Sequence, residues 1–295
     1  MNGPALMQAL AALGTDFTPA QMAASRELFA ARVPKPQDIA GCTVTRDVAY
    51  GPDPRHRLDL FVPRAAGNLP VFVFVHGGGF VQGDKGAPDA PFYNNVGAWA
   101  AREGFIGVTL TYRLAPAHQW PSGSADLDLA VRWLIAQVAV QGGDPTRIVL
   151  CGQSAGATHV AGYVAGQGRA STSQCDVAAA VLVSGVYDLS QAWESPMHDA
   201  YYGSDRSRHA ACSTLDALAE TGVPCLVTVS EFDPPPFQRQ ATALVQARVA
   251  RRGAWPDFAW LAGHNHLSSV LQLGSDVDCL GPALRGFIER RVLTP

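Results

Sequence analysis

The sequence predicts an α/β protein whose core is a mostly parallel, twisted sheet of eight strands flanked by helices. Five short apolar runs are nearly continuous, as expected of strands that are covered on both faces. Amphipathic segments separate most of these runs, and strands that alternate with helices favour parallel pairing through right-handed crossovers. The runs occupy residues 71–76, 105–112, 147–152, 177–185 and 224–230.

The first part of the chain shows other patterns. Residues 4–32 carry helical apolar spacing twice, and Thr18 followed by Pro19 predicts the start of the second helix. Two alternating runs, CTVTRDVAY and RLDLFVP, then predict antiparallel strands. We therefore expect an N-terminal helical cap over residues 1–40 and a main α/β domain over residues 41–295.

One interval is longer than a single crossover helix requires. Residues 186–222 separate two predicted strands and are rich in tyrosine, tryptophan and polar side chains. We expect these residues, called the lid segment below, to form an insertion over the carboxyl ends of the strands.

The composition restricts the classes of partner. The net charge is −3 and basic residues form no runs, which disfavours nucleic acid. No apolar stretch approaches the roughly 20 residues of a membrane span, and the first residues lack the features of a signal peptide. The six cysteines lack the spacing of metal ligands. We expect a cytoplasmic protein with reduced thiols, no metal and no cofactor. The sequence leaves open whether the protein forms a homodimer.

A five-residue motif predicts the reactive group. Residues 152–156, Gly-Gln-Ser-Ala-Gly, match G-x-S-x-G, directly after the apolar run RIVLC and before a small-residue helical segment. This strand–turn–helix setting is that of a nucleophile elbow in the α/β-hydrolase fold. We therefore predict Ser154 as a nucleophile; the alternative is a glycine-serine turn without chemistry.

A second glycine-rich motif follows the most apolar strand. His76 is followed by three glycines and Phe80, and glycines let backbone N–H groups turn inward without obstruction from a Cβ. Such fixed donors suit an oxyanion. The rival interpretation, a phosphate cradle, lacks both a GK[ST] ending and a G-x-G-x-x-G pattern. His76 precedes the serine, so we expect it to support the loop structurally.

These motifs, with TYRLAPAHQWPSGSADLDLAVRWL and GGDPTRIVLCGQSAGA, give the family resemblance. From about residue 57 to its end the chain resembles hormone-sensitive-lipase-like bacterial esterases and shares features with arylformamidases. The resemblance implies an ester hydrolase with a Ser-His-Asp triad and an oxyanion hole formed by Gly78, Gly79 and Ala155. Three departures are Gln153, where an acidic residue is usual, Ala157, where a glycine is usual, and His118, where a glutamate is usual.

The orienting acid is expected after a late strand. The run PCLVTVS leads into Glu231-Phe232-Asp233-Pro234, and Asp233 matches the Asp-Pro position of the resembling family. Glu231 is the alternative. Asp257 precedes the last strand and is disfavoured.

The base is expected on the loop after the last strand. His264 and His266 both lie there, and arylformamidase-like sequences place the base directly before an apolar residue, which selects His266. His264 would then shape the loop. The remaining histidines are predicted to be surface or packing residues: His56, His159, His198 and His209.

The expected reaction is hydrolysis of short-chain acyl esters, small-molecule substrates, through an acyl-enzyme. Phe80 and Trp193 are the predicted substrate-binding residues, within a compact pocket closed by an aromatic lid. The nearest rival is an arylformamidase, which would use the same triad on a formyl amide. A non-catalytic small-molecule receptor is the more distant alternative.

Overall fold

The computed structural model describes residues 3–34, 41–64, 67–170 and 175–294. One sheet of eight strands forms its centre, in the order β1-β2-β4-β3-β5-β6-β7-β8. The strands are β1 (Cys42–Ala49), β2 (Arg57–Pro63), β3 (Leu69–Val75), β4 (Ile106–Leu110), β5 (Gly143–Gln153), β6 (Ala179–Val183), β7 (Cys225–Phe232) and β8 (Asp257–Asn265).

Only the start of the sheet is antiparallel within the described chain. β1 pairs with β2, and β2 with β4, in antiparallel register, whereas every later pair is parallel. The parallel strands therefore end at the same edge. The first residues after β3, β5, β6, β7 and β8 therefore lie at that edge; they are residues 76, 154, 184, 233 and 266.

Helices cover both faces of the sheet. The larger helices are α1 (Gly3–Leu13), α2 (Pro19–Ala30), α3 (Asn94–Arg102), α4 (Ser122–Gln137), α5 (Ala155–Val164), α8 (Pro235–Arg252) and α10 (Leu280–Ile288). Alternate residues of β3 point to opposite sides, so that Val71 and Val73 join the core beneath α4, α5 and α8. Phe72 and Phe74 join the core beneath α1, α3 and α10. Two hydrophobic cores, one per face, therefore hold the layers together.

The N-terminal helices pack onto the main domain. Thr18 caps α2 through a capping box with Gln21, and Pro19 occupies the first turn, as the sequence predicts. Leu6, Leu10 and Phe29 are fully buried in the same core as α3 and α10. The link between α1 and α2 lies near the end of β8, because the Phe17 ring is 4.9 Å from the ring of His266.

The lid segment contains two short helices, α6 (Pro196–Tyr202) and α7 (Leu215–Glu220), and two 3₁₀ turns. Helix α7 lies against α5 and α8 and leads into β7, as a crossover helix does. The first part of the segment instead carries Trp193, Met197 and His198 to the cavity at the strand ends.

The predicted fold class is confirmed: an α/β-hydrolase fold with an eight-stranded, mostly parallel sheet and an antiparallel start. The short helix α9 (Ser268–Leu271) follows the last strand. Within the described ranges, no helix has both the length and the apolar character needed to cross a membrane. All six cysteines are free thiols.

Candidate active site

Ser154 lies at a sharp turn between β5 and α5. Its backbone adopts φ 56° and ψ −121°, a strained conformation for a residue with a side chain. Neighbouring backbones approach so closely that a Cβ on Gly156 would lie 2.1 Å from the carbonyl oxygen of Val75. A Cβ on Gly152 would lie 2.3 Å from the carbonyl oxygen of Gly156. Both flanking glycines are therefore required, and the serine has the geometry of a nucleophile elbow.

Asp233 and His266 form a buried pair. The imidazole Nδ1 lies 2.6 Å from the carboxylate Oδ1. Asp233 is 0% exposed and His266 is 2% exposed. A carboxylate oxygen only accepts, so Nδ1 carries the proton and Nε2 presents its lone pair. This tautomer is the one that a general base requires.

Two further groups hold the second carboxylate oxygen of Asp233. The hydroxyl of Ser184 donates to Oδ2 at 2.6 Å, and the backbone N–H of Ser230 donates to it at the same distance. Ser184, directly after β6, has φ 52°. The sequence analysis did not single out Ser184; its position directly after a predicted strand was the available signal.

The imidazole Nε2 of His266 is buried and has no hydrogen-bond partner among the described residues, the Ser154 hydroxyl included. The two loops are nevertheless joined beside the serine, because the Gln153 amide donates to the carbonyl oxygen of His266 at 3.0 Å. Rings of Phe237 and Phe17 flank the imidazole at centroid distances of 4.2 and 4.9 Å. Gln153, a departure from the resembling family, thus acts as a link between the two loops.

The alternative acid and base have other partners. The Glu231 carboxylate accepts a hydrogen bond from the backbone N–H of Gly263 at 2.7 Å. His264 Nδ1 lies 3.1 Å from the Ser268 hydroxyl, and burial lowers the pKa of His264 to about 4. Asp257 pairs with Arg290 and Arg291. The geometry therefore favours Asp233 and His266.

The loop bearing His266 is also tied to the N-terminal helices. The Asn265 amide donates to the Ser25 hydroxyl of α2 at 2.8 Å, and its oxygen accepts from the backbone of Ser268 at 2.9 Å. Ser25 is almost completely buried. Helix α2 therefore supports this loop through a buried side-chain hydrogen bond.

The predicted oxyanion loop folds inward after β3. Gly78 has φ 124°, and a Cβ there would lie 2.0 Å from the carbonyl oxygen of Gln82. Gly79 and Ala155 line the cavity together with Ser154. In the described chain, no backbone acceptor pairs with the N–H group of Gly79 or Ala155. These two donors are thus available to a group bound beside the serine.

His76 supports that loop from within. Its Nδ1 lies 2.6 Å from the Gly77 carbonyl oxygen, and its ring stacks on Tyr112 at 4.4 Å. Burial lowers the pKa of His76 to about 4, so the ring is neutral near pH 7. The Tyr112 hydroxyl in turn donates to the His76 carbonyl oxygen at 2.9 Å.

Charged residues anchor the far end of the loop. The Lys85 ammonium lies 2.8 Å from the carboxylates of both Asp47 and Asp59, and Arg46 also binds Asp59. Asp59 is fully buried in β2. This network fixes the segment after the glycines to the edge of the sheet, a connection that the sequence analysis missed.

A cavity of about 250 Å³ opens beside Ser154. Its lining is mainly apolar and aromatic, and it includes both predicted substrate-binding residues, Phe80 and Trp193. The Phe80 ring stacks on Tyr201 at 4.6 Å, whereas Trp193 packs edge-on against Phe237 at 4.8 Å. The lining residues are Phe17, Gly79, Phe80, Ser154, Ala155, Thr158, Val186, Trp193, Ser195, Met197, His198, Pro234, Pro236 and Phe237.

Comparison with known proteins agrees with this architecture. The model of the BD-FAE family matches residues 58–232. Among solved structures, esterase B from Lactobacillus rhamnosis (HN001) superposes with a TM-score of 0.72 at 19% identity, covering 96% of this chain and 94% of that one. A truncated carbohydrate esterase from gut microbiota superposes with a TM-score of 0.73 at 17% identity, covering 88% and 100% of the respective chains.

Curated relatives match over a shorter region. A probable isoprenylcysteine alpha-carbonyl methylesterase from Oryza sativa subsp. japonica is 36% identical over 155 residues, 50% of this chain and 35% of the relative. The tuliposide A-converting enzyme b1 from Tulipa gesneriana is 34% identical over 134 residues, 43% of this chain and 35% of the relative. The matched region thus spans about a third of these relatives.

Proposed function

The chain belongs to the BD-FAE family, and from this premise and the geometry of the site we propose that it is a serine carboxylesterase. The observation that carries the proposal is a strained serine that shares a cavity with unpaired backbone donors, next to a buried Asp–His pair. Similarity to proteins named as esterases supports the same class of reaction.

In the proposed first step, the Ser154 hydroxyl attacks the ester carbonyl while Nε2 of His266 takes its proton. The serine side chain rotates toward Nε2 when substrate binds, since catalytic hydrogen bonds commonly tighten only in the complex. Asp233 keeps the imidazole in the required tautomer and stabilises the imidazolium. The N–H groups of Gly78, Gly79 and Ala155 hold the developing oxyanion.

In the proposed second half of the reaction, His266 protonates the departing alkoxide and the alcohol leaves. Water then enters, gives a proton to the same imidazole and attacks the acyl-enzyme. The carboxylic acid is released and the Ser154 hydroxyl is restored. Each half of the reaction uses the same oxyanion donors, because both pass through a tetrahedral intermediate.

The cavity indicates the size and charge of the substrate. A volume of about 250 Å³ lies below the roughly 300 Å³ at which drug-sized ligand pockets begin. No lysine, arginine, aspartate or glutamate is among its described lining residues. We therefore propose uncharged esters with short acyl groups as substrates.

The test is active-site labelling combined with turnover. A fluorophosphonate probe is expected to label the wild-type protein at Ser154 and to leave Ser154→Ala unlabelled. Hydrolysis of p-nitrophenyl acetate is expected to fall by roughly 10⁶-fold in kcat for the same variant, because triad members act as one unit. Ser190→Ala is the control, since Ser190 is an exposed serine of the lid segment. A Ser154→Ala protein that keeps more than about a tenth of the wild-type rate refutes the proposal.

A further inference from the structure

Some polar side chains of the cavity already form hydrogen bonds within the protein, whereas others keep a free donor or acceptor. Thr158 Oγ1 accepts from the Val186 N–H at 3.0 Å and donates to the Ser154 carbonyl at 3.3 Å. The Ser195 hydroxyl accepts from the Met197 N–H as the cap of α6. Apart from the proposed nucleophile, two polar side chains of the lining remain: Trp193, whose indole N–H can only donate, and His198.

The hydrogen bond of His198 fixes its tautomer. Nδ1 lies 3.1 Å from the carbonyl oxygen of Trp193. Because a carbonyl oxygen only accepts, Nδ1 carries the hydrogen, and in the neutral ring Nε2 is then an acceptor. Burial lowers the pKa of His198, which favours the neutral ring near pH 7.

The ring is buried and rigidly held. His198 is only 5% exposed, and its ring packs against Trp193 at 4.8 Å and lies within 6.1 Å of Phe80. Nε2 has no hydrogen-bond partner among the described residues. It also differs from the fully enclosed unpaired atoms of the protein, such as His159 Nε2, because it retains accessible surface. The side chain that lines the apolar cavity therefore offers one oriented acceptor.

We propose that His198 is a specificity-determining residue whose Nε2 accepts a hydrogen bond from a hydroxyl group of the bound ester. This inference rests on the proposed function and narrows its substrates to uncharged esters that carry a hydroxyl group. A site built around such a bond disfavours analogues that lack the donor, because its own polar group is then left unpaired in an apolar cavity.

The test compares matched substrates. The 2-, 3- and 4-hydroxyphenyl acetates are each assayed against the corresponding methoxyphenyl acetate, and the ratio of the two kcat/KM values is compared between wild type and His198→Phe. For at least one isomer, this ratio is expected to fall about tenfold in the variant, as loss of one hydrogen bond predicts. His198→Gln, which retains an acceptor near the position of Nε2, is expected to restore part of the ratio.

His209→Phe is the matched control. This histidine also belongs to the lid segment, but its Nε2 is already bonded to the Gly203 carbonyl at 2.8 Å and it does not line the cavity. We expect its ratio to equal that of wild type. A second measurement needs no variant: hydroxyacetanilide isomers should inhibit wild type about tenfold more tightly than methoxyacetanilides.

The outcomes separate this inference from the proposed function. Wild type that hydrolyses none of the esters refutes the esterase proposal itself. If wild type hydrolyses the esters, and folded His198→Phe has the same ratio of kcat/KM for hydroxy- and methoxyphenyl acetates, only the role of His198 is refuted. Equal inhibition by hydroxy- and methoxyacetanilides refutes it as well, whether or not the variants fold.

Discussion

The two sides of the cavity are built in different ways. On the sheet side, Gly79, Ser154 and Pro234 follow the ends of parallel strands, and the backbone itself dictates their positions. On the opposite side, Phe17 comes from the N-terminal segment and His198 from the lid segment, and side-chain packing holds both. Under the proposed function, the reaction chemistry would depend on backbone geometry, whereas the choice of substrate would depend on side chains that the sheet does not constrain.

After Ser154→Ala, the largest effect is expected from Asp233→Asn, on the sheet side. The amide would still bond His266 but would favour the wrong imidazole tautomer, so kcat should fall by roughly 10⁴-fold. The measurement is the hydrolysis of p-nitrophenyl acetate. Glu231→Gln is the matched control, because the Glu231 side chain binds a backbone N–H of Gly263 instead. Equal losses in both variants would mean that the acid has been misassigned.

Gly78→Ala comes next. Its Cβ would lie 2.0 Å from the Gln82 carbonyl oxygen and displace the oxyanion loop, so we expect kcat to fall roughly 10²- to 10³-fold. Gly253→Ala is the control, since Gly253 has φ 65° but nothing within 4 Å of the added atom. Both substitutions impose backbone strain, and only the first should abolish most activity. Comparable kcat values in the two variants would contradict the predicted oxyanion hole.

A smaller effect is expected from Ser184→Ala, which removes one donor to the Asp233 carboxylate. A hydrogen bond to a charged group contributes about 1.5–3 kcal/mol, so kcat should fall by roughly 10- to 100-fold. Ser230→Ala is the control. The Ser230 hydroxyl has no partner in the described structure, and the Ser230 backbone N–H that binds Asp233 is unchanged by the substitution. If the two variants lose the same activity, the Ser184 hydroxyl does not support the acid.

The smallest effect is expected on the covering side. Phe17 is 42% exposed and lines the cavity, so Phe17→Ala should raise KM for p-nitrophenyl butyrate about threefold and change kcat little. Val140→Ala, at an 83% exposed position outside the cavity lining, is the control. A loss in kcat as large as that of Ser184→Ala would remove the contrast between the two sides.

The sequence was sufficient to predict the sheet and, to within a few residues, the ends of its strands. Strands buried on both faces are apolar throughout, and the residues that follow them are placed by the backbone. Ser154 was predicted from the G-x-S-x-G motif after such a strand, and Asp233 from its place after a late strand together with the Asp-Pro position of the resembling family. The histidine on the loop after β8 was identified with the help of the family resemblance. The fold class is confirmed, while the roles of these residues stay predictions.

The supporting contacts were not predictable in the same way. Ser184, Gln153 and Ser25 act through partners that are 49, 113 and 240 residues away along the chain. No local pattern encodes such pairings. His198 was predicted to be a packing or surface residue because its neighbours in sequence carry no motif. Its proposed role depends on its position in the cavity lining, and the cavity exists only after the lid segment has folded onto the sheet.

Gln153 joins three loops at the strand-end edge. Its amide spans from the serine turn to the carbonyl of His266, and its oxygen occupies the space that a side chain on Gly77 would need. Three loops that leave three different strands therefore meet at one residue. Under the proposed function, the backbone positions of the attacking and proton-accepting residues would be fixed before an ester binds, and only the Ser154 hydroxyl would need to rotate.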